Sequence, residues 1–240
     1  MRRLLAKSVW LVAAATLPIV QLSGQQLQGT DEACRSVATT QDAVRACYRI
    51  LGNDSTNVEA LYNLGVGIAS TRQYARAESV WSRYVRLRPR QFAGYYNLGL
   101  MLEFQRVYAA ALKPFRSALH YASDSRQEQT SCFHIGVVEY NLRRQLSALR
   151  WFRAAIAMDT TDLSAWSAAA IAAETLHRDS EAVAYWGRIA KSNANFLEAL
   201  SPQERADYHA SLKRVGEQPP AIVKPSGTCR NTDSEGAGPT

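Results

Sequence analysis

Residues 61–65 read Leu-Tyr-Asn-Leu-Gly, and residues 95–99, 34 positions further on, read Tyr-Tyr-Asn-Leu-Gly. The unit returns 37 positions later at 132–136 as Cys-Phe-His-Ile-Gly, and 34 later again at 166–170 as Trp-Ser-Ala-Ala-Ala. The three extra residues fall in the polar stretch 123–129. A second signature keeps the same phase: Ala77-x-x-x-Trp81, Ala111-x-x-x-Phe115, Ala148-x-x-x-Phe152 and Ala182-x-x-x-Trp186 each begin 12 residues after the small residue closing the first. Pro89 ends the first unit. Glycine inside a helix costs about 1 kcal/mol against alanine. Gly65, Gly99 and Gly136 at one phase of a helical pattern therefore need a packing reason, and self-similarity at this period is the mark of a repeat architecture.

The pattern resembles the tetratricopeptide repeat (TPR) family, whose units read W-x2-L-G-x2-Y, then A-x3-F, then P. The resemblance implies an all-α fold, a right-handed superhelical solenoid of helix-turn-helix repeats, with four units at 58–91, 92–125, 129–162 and 163–196. The small residue of helix A would let helix B of the same repeat approach. The Ala of helix B would lie at that contact, and the aromatic one turn later would fill the gap to the next repeat. Two departures stand out: Glu139 occupies a usual aromatic position, and the fourth unit lacks the glycine.

Working outward, Ala43-x-x-x-Cys47 lies 34 residues before Ala77-x-x-x-Trp81, so residues 31–57 read as a degenerate helical hairpin. A terminal hairpin has a neighbour on one side only, and a disulfide is a plausible compensation. Cys34 and Cys47 bracket a turn-rich segment and are the expected pair; two buried free thiols are the other arrangement. Cys132 and Cys229 have no evident mates. Ser201-Pro202-Gln203-Glu204 reads as N-cap, first-turn proline and capping-box glutamate, placing a capping helix at 199–215. Residues 216–240 are rich in Pro, Gly, Ser and Thr without periodicity and read as a disordered tail.

The N-terminus is an address. Residues 1–7 are basic, Ser8 to Val20 are mostly apolar, and polar residues follow. That order fits a signal peptide over 1–24, with an uncleaved membrane anchor as the alternative, and it implies a periplasmic or secreted protein. The 28 Lys and Arg against 21 Asp and Glu give +7; without Arg2, Arg3 and Lys7 the balance is 25 against 21, or +4. So modest an excess does not point to nucleic acid. The 47% hydrophobic content and the 22 Phe, Trp and Tyr exclude a wholly disordered chain.

No catalytic pattern emerges. The four histidines are scattered without metal-ligand spacing, phosphate-loop and nucleophile-elbow motifs are missing, and Asp159 and Asp162 read as helix-start residues. The expectation is no enzyme, no cofactor and no metal. His134 with Glu103 or Glu139 is the one combination a catalytic reading would need.

Binding remains. In the TPR family helix A lines the concave surface, and by phase the resemblance places Tyr62, Asn63, Tyr96, Asn97, Leu100, Phe104, Phe133, His134, Tyr140 and Asn141 there. Rings supply contact area and amides pair with backbone, which suits a protein or extended peptide. A family subclass that clamps carboxylate tails uses Lys, Asn and Arg; of those positions only Asn97 matches. Helix B lines the convex face, where Arg76, Arg83, Arg86 and Arg90 form a basic stripe suited to an acidic protein surface or anionic lipid headgroups. The functional expectation is an exported adaptor or assembly subunit of an envelope-side complex. The alternatives are a peptide- or small-ligand-binding sensor and a membrane-anchored subunit.

Overall fold

The computed structural model describes Cys34, residues 41–192, the helix 202–215 and Cys229. The expected signal segment, most of the first helix of the 31–57 hairpin, Ser201 and all of the tail except Cys229 lie outside the described residues. The chain divides into two compact units that meet between Ser123 and Asp124.

The first unit holds α1 (Gln41–Asn53), α2 (Val58–Ser70), α3 (Tyr74–Leu87), α4 (Phe92–Phe104) and α5 (Tyr108–His120). Each helix packs on the next in sequence, and connections of three or four residues force neighbours antiparallel. Helix α1 shows why: Ala43, Ala46, Cys47 and Leu51 are its buried residues and fall on one stripe facing α2. Cys34 and Cys47 form a disulfide, with Cα atoms 4.9 Å apart, fixing residue 34 to that helix.

The second unit holds α6 (Ser125–Asn141), α7 (Gln145–Met158), α8 (Leu163–Thr175), α9 (Asp179–Ser192) and α10 (Pro202–Val215), again packed in sequence. Helix α8 is buried at Ala165, Trp166 and every residue from Ala168 to Ala173. Its small side chains let it sit between α7 and α9 and touch α6. In α10, Tyr208 sets its ring edge-on to Trp186 of α9 at 6.5 Å. Ser211 is buried there, Leu212 is half-buried and Ala206 is exposed.

The phased glycines have a single cause. A Cβ at Gly65 would stand 2.6 Å from the ring of Trp81, one at Gly99 2.7 Å from Phe115, and one at Gly136 2.6 Å from Phe152. Each aromatic thus packs directly against the glycine of its own repeat. The alanines Ala77, Ala111, Ala148 and Ala182 are all fully buried at the same contacts. Gly94 does the between-repeat work in the first unit, where a Cβ would meet Tyr84 at 2.7 Å.

Turns and caps explain the remaining polar pattern. Asn57, Asp124 and Asp162 accept backbone hydrogen bonds from Ala60, Gln127 and Ser164 at 2.9, 2.8 and 2.9 Å, a standard N-cap role. Asp54 and Asp159 each bind the amide and hydroxyl of a threonine two residues on, at 2.6–2.9 Å. These bonds hold both carboxyls below the ordinary aspartate range. Between helices A and B the chain turns through a left-handed residue at Arg72, Arg106, Arg143 and His177 (φ 55–66°). The next residue's amide reaches back to Ile68, Leu102, Glu139 and Ala173 respectively, as in a Schellman motif.

Candidate partner-binding surfaces

Helix α2 presents Tyr62 and Asn63 half-buried. The Tyr62 ring stands edge-on to Trp81 at 5.3 Å and lies 6.0 Å from Tyr84. Burial, reinforced by Tyr84, pushes its hydroxyl up to about 12. The Asn63 side chain makes no hydrogen bond among the described residues. Helix α4 differs, because α3 and α5 cover it from both sides and ten of its thirteen residues are buried. Tyr96 is fully buried, its ring stacked on Phe92 at 5.3 Å and edge-on to Phe115 at 6.0 Å. Asn97 and Leu100 are each 6% exposed, and the Asn97 amide donates to the Ala93 carbonyl one turn back at 2.9 Å. Phe104 stacks on Tyr74 of α3 at 4.9 Å and stays half-buried.

In the second unit α6 carries Phe133, His134, Tyr140 and Asn141, all half-buried. Spaced at i, i+1, i+7 and i+8, they share one face. Phe133 packs edge-on to His134 at 5.4 Å and reaches Phe152 at 5.9 Å. Burial raises the Tyr140 hydroxyl above the ordinary tyrosine range, against the opposing pull of Arg143. Asn141 donates to the Val137 carbonyl at 2.8 Å. Accessible aromatic and amide surface is therefore concentrated at Tyr62, Asn63 and Phe104 in one unit and on α6 in the other. Tyr96, Asn97 and Leu100 serve the interior.

The arginines of the basic stripe do two different jobs. Arg76 donates to Tyr48 at 3.0 Å and to Gln73, and Arg83 donates to the Ser55 carbonyl. Both tie α3 back to α1 and the loop that follows it. Arg86 and Arg90 are exposed and make no ion pair among the described residues. In the second unit Arg153 is half-buried and bound by the Tyr185 hydroxyl at 2.7 Å and by Glu181 at 2.5 Å. Burial disfavours its charge, yet Tyr185 and Glu181 outweigh that and hold its pKa above the ordinary arginine value.

Three solved structures share this arrangement. YrrB, described as a TPR protein with an unusual peptide-binding site, superposes with TM-score 0.59 at 14% identity, over 72% of this chain and 84% of its own. MamA gives 0.61 at 18% identity, over 79% of this chain and 99% of its own. PilF of Pseudomonas aeruginosa gives 0.58 at 18% identity, over 75% and 85%. The fold is the TPR fold. No protein-family model and no curated protein matches the sequence.

Among the described residues no group of three or more His, Cys, Asp or Glu is placed to hold a metal ion. Glu139, one possible partner of His134 in a catalytic reading, is buried and paired with Arg144 at 3.3 Å. Among the described residues no helix is long and apolar enough to cross a membrane. Sequence reasoning missed the pairing of Cys132 with Cys229. The two are 97 residues apart, and no local signal connects them.

Proposed function

We propose that this TPR chain is an exported adaptor, an assembly or accessory subunit of a periplasmic or envelope-side complex. It would hold an extended segment of another protein against Tyr62 and Asn63, and against Phe133, His134, Tyr140 and Asn141. The observation that carries the reading is the half-exposed aromatic–amide face of α6, built on a helix held in place by the Gly136–Phe152 contact. A rigid backbone presenting rings and amides at low ordering cost suits peptide capture. YrrB, with its peptide-binding site, offers a precedent for the same fold. Two disulfides fit an oxidising compartment and support export. Arg86 and Arg90 would offer a second contact, to an acidic protein surface or anionic headgroups.

Affinity purification from the solubilised envelope of the native host, with mass spectrometry of what co-elutes, tests this. A stoichiometric partner lost on Phe133→Ala/Asn141→Ala or Tyr62→Ala/Asn63→Ala is the expected result. Loss only on Arg86→Glu/Arg90→Glu would move the site to the basic face. A chain that elutes alone as a monomer would sink the adaptor reading.

A further inference from the structure

The first unit carries an open pocket of about 460 Å³ between α4 and α5, lined chiefly by Tyr95, Leu112, Lys113, Arg116, His120 and Tyr121. That volume lies within the range that holds a bound ligand. Tyr95 and Tyr121 stack at 5.7 Å with planes 15° apart, and His120 stands edge-on to Tyr121 at 4.7 Å. Lys113, Arg116 and His120 are exposed. Spaced at i, i+3 and i+7, they follow one face of α5. No acidic residue lines the pocket, so its charge is of one sign.

The repeat itself shows what this position accepts. Tyr95, Tyr121 and Arg116 correspond, 37 residues on, to Cys132, Met158 and Arg153. In the second unit that place is taken by Cys229, a residue distant in sequence. Cys229 is bonded to Cys132, and its Sγ lies 3.2 Å from the Met158 Sδ. Arg153 at the same place takes the Glu181 carboxylate at 2.5 Å. One counterpart holds a single residue from far along the chain, and the other holds a carboxylate.

We propose that the Tyr95–Tyr121 pocket of α4 and α5 is a docking site for an acidic peptide segment of a partner protein. An apolar or aromatic side chain of the segment lies against the stacked tyrosines, and flanking carboxylates meet Lys113 and Arg116. This site is separate from the aromatic–amide surfaces and does not depend on them.

The test is fluorescence anisotropy of the full chain with a fluorescein-labelled peptide, Glu-Asp-Trp-Glu-Asp-Phe-Glu. The expected result is saturable binding that weakens at least tenfold in Lys113→Glu/Arg116→Glu. Replacing every acid of the peptide by its amide should weaken binding equally, while Lys191→Glu, which reverses an exposed cation of the second unit, leaves it unchanged. Both reversed positions are exposed, and far-ultraviolet circular dichroism confirms that the variant folds. Equal binding by the charge-reversed chain overturns the proposal. So does displacement by citrate at the peptide's own concentration, which would mark a small-anion site. So does pocket-dependent binding to phosphatidylglycerol vesicles without peptide binding, which would mark a membrane surface.

Discussion

The indole of Trp81 lies so close over Gly65 that the first carbon of any side chain there would stand 2.6 Å from the ring. Helix propensity alone favours alanine over glycine by about 1 kcal/mol. Overpacking a fitted contact costs about 1–3 kcal/mol, and the aromatic ring has no flexible end that could move aside. Gly65→Ala, Gly99→Ala and Gly136→Ala should each lower the urea midpoint. Gly187, in α9, has nothing within 4 Å of where its Cβ would be. Gly187→Ala should raise the midpoint by up to about 1 kcal/mol of stability. Equal responses at the two kinds of site would refute the packing account.

Trp186 donates its indole N–H to Glu174 at 2.8 Å, whereas the buried indole nitrogen of Trp81 has no partner among the described residues. The two tryptophans hold the same place in their repeats, but Ala69 stands where Glu174 does. Replacing either by phenylalanine removes similar apolar area. Trp186→Phe should cost about 1–3 kcal/mol more than Trp81→Phe, because it removes a part-buried hydrogen bond to a carboxylate. Chemical denaturation of the two variants side by side decides it.

Arg72, Arg106 and Arg143 each occupy a left-handed turn with φ of 60–66°. Side chains other than glycine meet steric cost in that region, about 1–2 kcal/mol per residue. Arg72→Gly, Arg106→Gly and Arg143→Gly should therefore raise the melting temperature, although added freedom of the unfolded chain offsets part of the gain. Substitution by valine, which tolerates positive φ poorly, should lower it.

The Cys34–Cys47 bond spans 13 residues, a loop whose closure is worth about 3 kcal/mol in the chain-entropy account. Cys47→Ala should lower the stability of the first unit by a comparable amount. Reductant should shift the urea midpoint of the parent chain and leave that of a Cys34→Ala/Cys47→Ala variant unmoved at the first unit's transition.

Tyr62 is neutral in the folded chain up to about pH 12 because burial disfavours its phenolate. Its folded pKa is raised above the unfolded value near 10. The stability linked to it is therefore fully present below pH 10 and is lost as pH climbs toward 12. Unfolding titrations between pH 9 and 12 should show the parent chain weakening faster than Tyr62→Phe. Parallel loss in both would show that Tyr62 titrates as if exposed.

Spacing was enough to read the helix pairs, because Gly65, Gly99 and Gly136 and the alanines 12 residues after each mark a contact that must recur at fixed phase. The same spacing could not say what the aromatics touch, since a ring on helix B can reach its own repeat or the next, and the 2.6 Å approach to Gly65 shows Trp81 against its own. It also placed Tyr96 and Asn97 beside Tyr62 and Asn63, yet α4 has helices on both sides and buries the first two. Periodicity reports which residues share a face, not how many neighbours that face has. The Tyr95 pocket escaped notice because Lys113, Arg116 and His120 look like an ordinary solvated face until the stacked tyrosines are seen beside them.

The bond from Cys132 to Cys229 closes the second unit into a covalent ring. A single protease cut between those residues leaves one molecule of unchanged mass apart from an added water, and two fragments separate only after reduction. On a non-reducing gel a nicked chain would still migrate as one species. Damage to that half of the protein can thus accumulate without shedding any part of it, for as long as its surroundings remain oxidising.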